Sequence, residues 1–204
     1  MMQLTKLESR RLMMKIDQQA ILKAATEILN TKGIAALSMR AIAANLDVKA
    51  ASLYFHIKNK NDLFEQISEG ISQRVFEKLN RVDEPDLQRL MDVFRAELKR
   101  IQDSPQIFSN TAPFTPYRTR LIQFSLDHLQ QLGVPQQFTA TAGNLLNNYV
   151  LSFVSDEQYF SRVDSSTFDE SQFKSPINMA DPDDSFQYGL NLIFAGIRVQ
   201  SKNG

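Results

Sequence analysis

The 204-residue chain contains no cysteine and only two histidines. Without a thiol there is no disulfide framework and no thiolate chemistry. His56 and His128 lie far apart in sequence, and no carboxylate–histidine cluster surrounds either. A catalytic triad or a metal centre therefore has too few parts, and no paired-carboxylate motif offers another route to catalysis. No run of about 18 apolar residues is present, so no membrane span is expected. The opening MMQLTKLESRRLMMK is too charged for a secretory signal, and a cytoplasmic protein is expected. What is present is 43% apolar residues, enough to bury a core in one or two small domains.

The net charge is zero, which by itself argues against a nucleic-acid partner. Its distribution argues the other way. Residues 1–60 hold ten basic and four acidic residues, a net of +6, and residues 61–204 carry −6. A basic N-terminal part on an acidic body is the footprint of a DNA reader with a separate regulatory domain.

The organising stretch is SMRAIAANLDVKAASLYFHIKNK, residues 38–60. Ser38 is suited to cap a helix to about Asn45, with Ile42 and Leu46 as its apolar stripe. Asn45-Leu46-Asp47-Val48 forms the turn, because Asn and Asp tolerate irregular backbone. A second helix is predicted from Lys49 to about Phe55. It carries small and cationic side chains outside Leu53, as a helix pressed into a major groove requires. Upstream, residues 17–32 read as a helix capped by Asp17 and ended by Gly33, and Ile34 and Leu37 are expected to close a three-helix head. Residues 1–16 read equally as a DNA-following arm or a solvated terminus.

The run GIAALSMRAIAANLDVKAASLYFHIKNKNDLF resembles the DNA-binding domain of the TetR family of repressors. LYFHIKNK followed by an acidic-apolar helix start is similar to the tetracycline repressors themselves. FQYGLNLIFAGI, near the end, resembles the last helix of the tetracycline repressor core. The resemblance implies an all-α fold: a helix-turn-helix head, residues 1–60, and a larger helical body, residues 61–204, for ligand binding and dimerisation. Arg40, Lys49, Ala50 and Ala51 are expected to face bases. Ser38, Ser52, Tyr54, His56 and Lys60 are expected to hold phosphates of double-stranded DNA. Lys49, Ala50 and Ala51 stand where tetracycline repressors carry longer side chains, so a different operator is implied.

In the body, apolar periodicity predicts helices at 61–79, 86–103, 119–132, 137–158 and 184–199. Residues 105–118 read as irregular chain or one short helix, and 155–183 as a loop. The broad stripes of 137–158 and 184–199, with small residues such as Gly143 and Gly189, suit a four-helix bundle across a two-fold axis, which the resemblance also implies.

The resemblance implies a small-molecule site as well. Where tetracycline repressors surround a drug–magnesium complex with polar and histidine side chains, this chain has Phe76, Leu90, Phe108 and Phe124, and Phe108 replaces the metal-binding histidine. Phe94 and Thr111 persist, Phe114 and Tyr149 complete the set, and Asp156 stands near a carboxylate of the metal's water shell. Phenylalanines cannot hold a hard cation. No metal or cofactor is therefore expected, and the effector should be apolar or aromatic. The reading is a homodimeric, ligand-responsive repressor on a palindromic operator. The alternative is a DNA-binding regulator with a filled core and no ligand response; an enzyme is disfavoured.

Overall fold

The computed structural model describes residues 17–163 and 181–202. The possible arm at 1–16 lies outside them, as does most of the loop expected at 155–183. Among the described residues the chain is all helical. The helices are α1 (Gln18–Lys32), α2 (Met39–Asn45), α3 (Ala50–Leu53), α4 (Lys60–Leu79), α5 (Leu87–Lys99), α6 (Ser104–Ser109), α7 (Pro116–Gln131), α8 (Gln136–Phe160) and α9 (Pro182–Lys202).

The caps follow the sequence. Asp17 accepts the Ala20 N–H at 2.7 Å, Ser38 that of Ala41 at 3.1 Å and Asp86 that of Arg89 at 2.8 Å. At the start of α4, Asn59 accepts the Asp62 N–H while Asp62 accepts the Lys58 N–H. Each side chain thus satisfies a donor that a helix end leaves free.

The body differs from the sequence reading at several boundaries. The helix expected at 86–103 stops at Lys99. A turn centred on Asp103, in the left-handed region at φ 61°, then opens α6 as a separate helix. The short-helix alternative for 105–118 is the one adopted, and α7 begins at Pro116 rather than 119. Pro135 stands at the N-cap of α8, which runs to Phe160.

α4 packs against α5, α6 and α7, and α8 packs against α5, α6, α7 and α9. Leu63, Ile71, Val75, Leu98, Ile107, Leu129, Leu146, Val150 and Leu190 are buried in one continuous core. Two ionic clusters, each centred on a buried charge, pin the layers. Glu97, fully buried on α5, meets Arg74 and Lys78 of α4 at 2.7 Å. Arg95 reaches Glu157 of α8 at 2.6 Å and Asp183 of α9 at 2.8 Å, and its guanidinium lies 4.6 Å from the Phe186 ring centre. Removing one member of such a pair strands the other's charge.

At Gly189 α9 passes close to Tyr149 of α8. A Cβ there would lie 2.3 Å from the Tyr149 hydroxyl, which donates to the Phe186 carbonyl at 2.9 Å. This close approach lies within the chain, whereas Gly143 and Gly196 show no such crowding.

Candidate DNA-binding face and effector cavity

Leu53 and Ile57, both fully buried, anchor α3 to the head. Each contributes roughly 1.5–3 kcal/mol of burial. The anchoring shortens the helix. The N–H groups of His56 and Ile57 both donate to the Leu53 carbonyl, so the chain turns at Tyr54–His56 to bring Ile57 inward. The second helix expected to run to Phe55 is therefore a single turn, Ala50–Leu53, with Lys49 at its N-cap. Asp47, at φ 53°, makes the sharp turn before it.

The opposite side is open. Arg40, Lys49, Ala51, Tyr54, His56, Lys58 and Lys60 are exposed, with Ala50 and Ser52 half-buried beside them. Ser38 is exposed, but its hydroxyl already accepts from Ala41. Lys60 lies 5.4 Å over the Phe64 ring. Phe55, which sequence reasoning took only as a helix end, is 80% exposed on this face. The arrangement presents cations, hydroxyls and methyl groups around one short helix turn, which suits phosphate and base-edge contacts.

The body contains a cavity of about 260 Å³ between α4, α5, α6, α7 and α8. Leu90, Met91 and Phe94 of α5, Phe108 of α6, and Leu121, Ile122 and Leu126 of α7 form its apolar wall. Phe94 and Phe108 meet edge to face at 5.3 Å. Ser72, Arg118, Ser125, Asn144 and Asn147 also line it. Ser72 and Ser125 spend their hydroxyl protons on the Ser68 and Leu121 carbonyls.

Arg118 is held by neutral groups. Its Nη1 donates to the Thr111 carbonyl at 3.2 Å and to the Thr111 hydroxyl at 2.7 Å, and its Nη2 to the Phe108 carbonyl at 3.0 Å. The guanidinium lies 4.7 Å from the Phe108 ring centre. Burial pulls its pKa below the usual arginine value, and the charge of Glu69 works against that. The Glu69 carboxylate itself accepts the backbone N–H groups of Tyr117 and Arg118 at the start of α7.

Residues 21–67 match the family model described as bacterial regulatory proteins, tetR family. The helix-turn-helix head is thus of the TetR family's DNA-binding type. It is 29% identical over 153 residues to an HTH-type transcriptional regulator of Saccharopolyspora erythraea, a match covering 73% of this chain and 64% of that regulator. It is 25% identical over 206 residues to the class C tetracycline repressor of Escherichia coli, covering 91% and 92%. The fold is shared with the TetR family protein ActR of Streptomyces coelicolor in complex with actinorhodin, at TM-score 0.74 and 21% identity, over 91% of this chain and 98% of that one. A TetR-type DNA-binding head thus stands on a body that shares its fold with a TetR family protein.

Within this body the ligand-facing residues expected from sequence divide. Leu90, Phe94 and Phe108 line the cavity, and Thr111 stands behind its wall, holding Arg118. Phe76 instead packs on Tyr117, with Arg120 over its ring. Phe124 stacks on His128 at 3.9 Å. Tyr149 stacks on Phe186, Phe114 is 85% exposed, and Asp156 is exposed on α8. Sequence reasoning missed Arg118, Asn144 and Asn147. The two asparagines share a face at i, i+3, a legible signal; nothing in the sequence around Arg118 distinguishes it from a solvated cation. Among the described residues no helix is long and apolar enough to cross a membrane, and no group of three His, Cys, Asp or Glu could hold a metal ion.

Proposed function

We propose that the protein is a homodimeric repressor that reads a palindromic operator in the cytoplasm and is released by a small, largely apolar or aromatic effector. The head, about residues 1–60, binds DNA; the body, about 61–204, senses and dimerises. One observation carries the ligand response. Two of the helices that line the cavity, α5 and α6, are joined by the turn that holds the head. In that turn Asp103 accepts the Ile34 N–H at 2.7 Å, and Asn30 of α1 bonds both the Gln102 N–H and the Arg100 carbonyl. An effector that spreads Leu90 and Phe94 from Phe108 acts on that turn, and only a ligand with different affinity for the two arrangements shifts the balance. Apolar ligand surface buried here gains about 25 cal/mol per Å².

Dimerisation is supported by an uncovered apolar stripe on α8 and α9, where Phe138, Leu145 and Leu192 are each more than half exposed around an open groove. Two linked heads give a palindromic site its affinity.

A mobility-shift titration on DNA flanking the coding region, at 50 and 200 mM salt, tests the reading. With roughly six to ten phosphates neutralised by the dimer, affinity should drop about 10³- to 10⁵-fold between the two salts. A flat salt response refutes it.

A further inference from the structure

The cavity's polar side has a chemistry that the apolar wall does not explain. Arg118 is the one charged residue among the described residues that line it. Among the described residues no carboxylate lies within ion-pair reach of its side chain, whereas Arg74 and Arg95, which also pack between helices of the body, each have one. The nearest acid in charge terms, Glu69, is occupied with the backbone of α7. The three hydrogen bonds that fix the guanidinium all end on neutral oxygens of Phe108 and Thr111. A guanidinium has five N–H donors in a planar fork, so Nε–H and one Nη2 proton remain after these bonds. Stacking on Phe108 holds the fork in place beforehand. A cation that is partly desolvated, preoriented and without an ion-paired acid is poised for a charge-assisted bond to an anion.

We propose that the effector is an aromatic or apolar molecule bearing one carboxylate-type anion, which docks on Arg118 while its ring system fills the space between Phe94, Phe108 and Leu121. The inference rests on the cavity being the effector site. Asn144 and Asn147, on the facing helix α8, are placed to bond further oxygen or nitrogen atoms of the same ligand. The shape wanted is thus a flat hydrophobic body with a polar edge and one negative end.

The test is a matched pair of probes on the full chain, 2-naphthoate and 2-naphthamide, titrated by calorimetry. They differ in charge and hardly in shape. The wild type should bind the acid on the order of tenfold or more tightly than the amide. Arg118→Gln should abolish that preference, and Arg118→Lys, which keeps the charge but not the fork, should restore part of it. Thermal melts of both variants establish that each is folded; the Lys variant serves if the Gln variant is not, because a lysine lacking the fork should still prefer the acid, more weakly than wild type. Equal binding of acid and amide by the wild type overturns the anion inference and leaves the cavity as an effector site. A preference that survives in Arg118→Gln overturns it too. Failure of both probes to bind removes the cavity reading on which it stands.

Discussion

Asp103 and Ile34, 69 residues apart, are joined by a 2.7 Å hydrogen bond from the Ile34 N–H to the Asp103 carboxylate. The bond fastens the end of α1 to the turn between α5 and α6. Gly33 makes the approach possible: its φ is +74°, and a Cβ there would stand 3.0 Å from the Asp103 oxygen. From the other side, Gln158 of α8 accepts the Asp103 N–H at 2.9 Å. The head, the cavity-lining helices α5 and α6 and the long α8 therefore meet at one aspartate.

Asp103→Ala should destabilise the chain by about 1–3 kcal/mol, because it removes a charged acceptor and a residue that tolerates left-handed backbone. Urea unfolding measures it. Asp103→Asn retains the backbone tolerance and should cost less. Equal losses would place the effect in the general packing of the turn.

Arg40→Ala should relax base preference at one position per half-site, at a cost of about 1–3 kcal/mol per lost bidentate pair. Lys60→Ala should weaken all sequences alike. Binding to a set of single-base operator variants separates the two roles, and identical profiles would show them wrongly assigned.

Leu192→Glu should yield a monomer that no longer holds its operator. Leu192 is 58% exposed in the protomer, so the charge costs little until a second copy would bury it unpaired. Ile193 is a poorer probe, since it already packs against the protomer's own core. Sedimentation reads the outcome; a dimer of unchanged strength moves the interface elsewhere.

Acid should loosen the body through Glu157. Burial pushes its carboxyl up, but Arg95 and Lys99 more than offset this and hold it below the usual value. A depressed native pKa means that the unfolded chain binds the proton more tightly. The stability Glu157 adds is therefore complete above the unfolded glutamate value of about 4.3 and is lost as pH falls through the lower native value. Urea titrations from pH 7 to pH 3 should show a steeper acid loss for wild type than for Glu157→Gln. Parallel curves would remove Glu157 from the account.

Tetracycline with magnesium should not release the protein from DNA. Among the described residues the cavity is lined by no carboxylate or imidazole, and their one charged member is the cation of Arg118. A hard divalent cation needs oxygen ligands or held water, and Arg118 repels it. Titration of the operator complex with the drug, with and without EDTA, checks this; magnesium-dependent release at micromolar drug would overturn it.

The sequence by itself determined the all-α fold, the helix-turn-helix and its caps, because these depend on local chemistry. Ser38 caps α2 through an N–H three residues away, and the periodicity of Ile21, Ala24, Ala25 and Ile28 selects the buried face of α1. Tertiary structure decided the length of α3, which ends early because Ile57 has to reach the core. It also decided which aromatic residues meet the cavity. Phe108 and Phe124 look alike in sequence, but one faces Arg118 and the other stacks on His128. That choice depends on how α6 and α7 sit against α4 and α8, and residues scores of positions apart fix it. Arg118 shows the same limit: its partners and its lack of an acid exist only once the helices are packed.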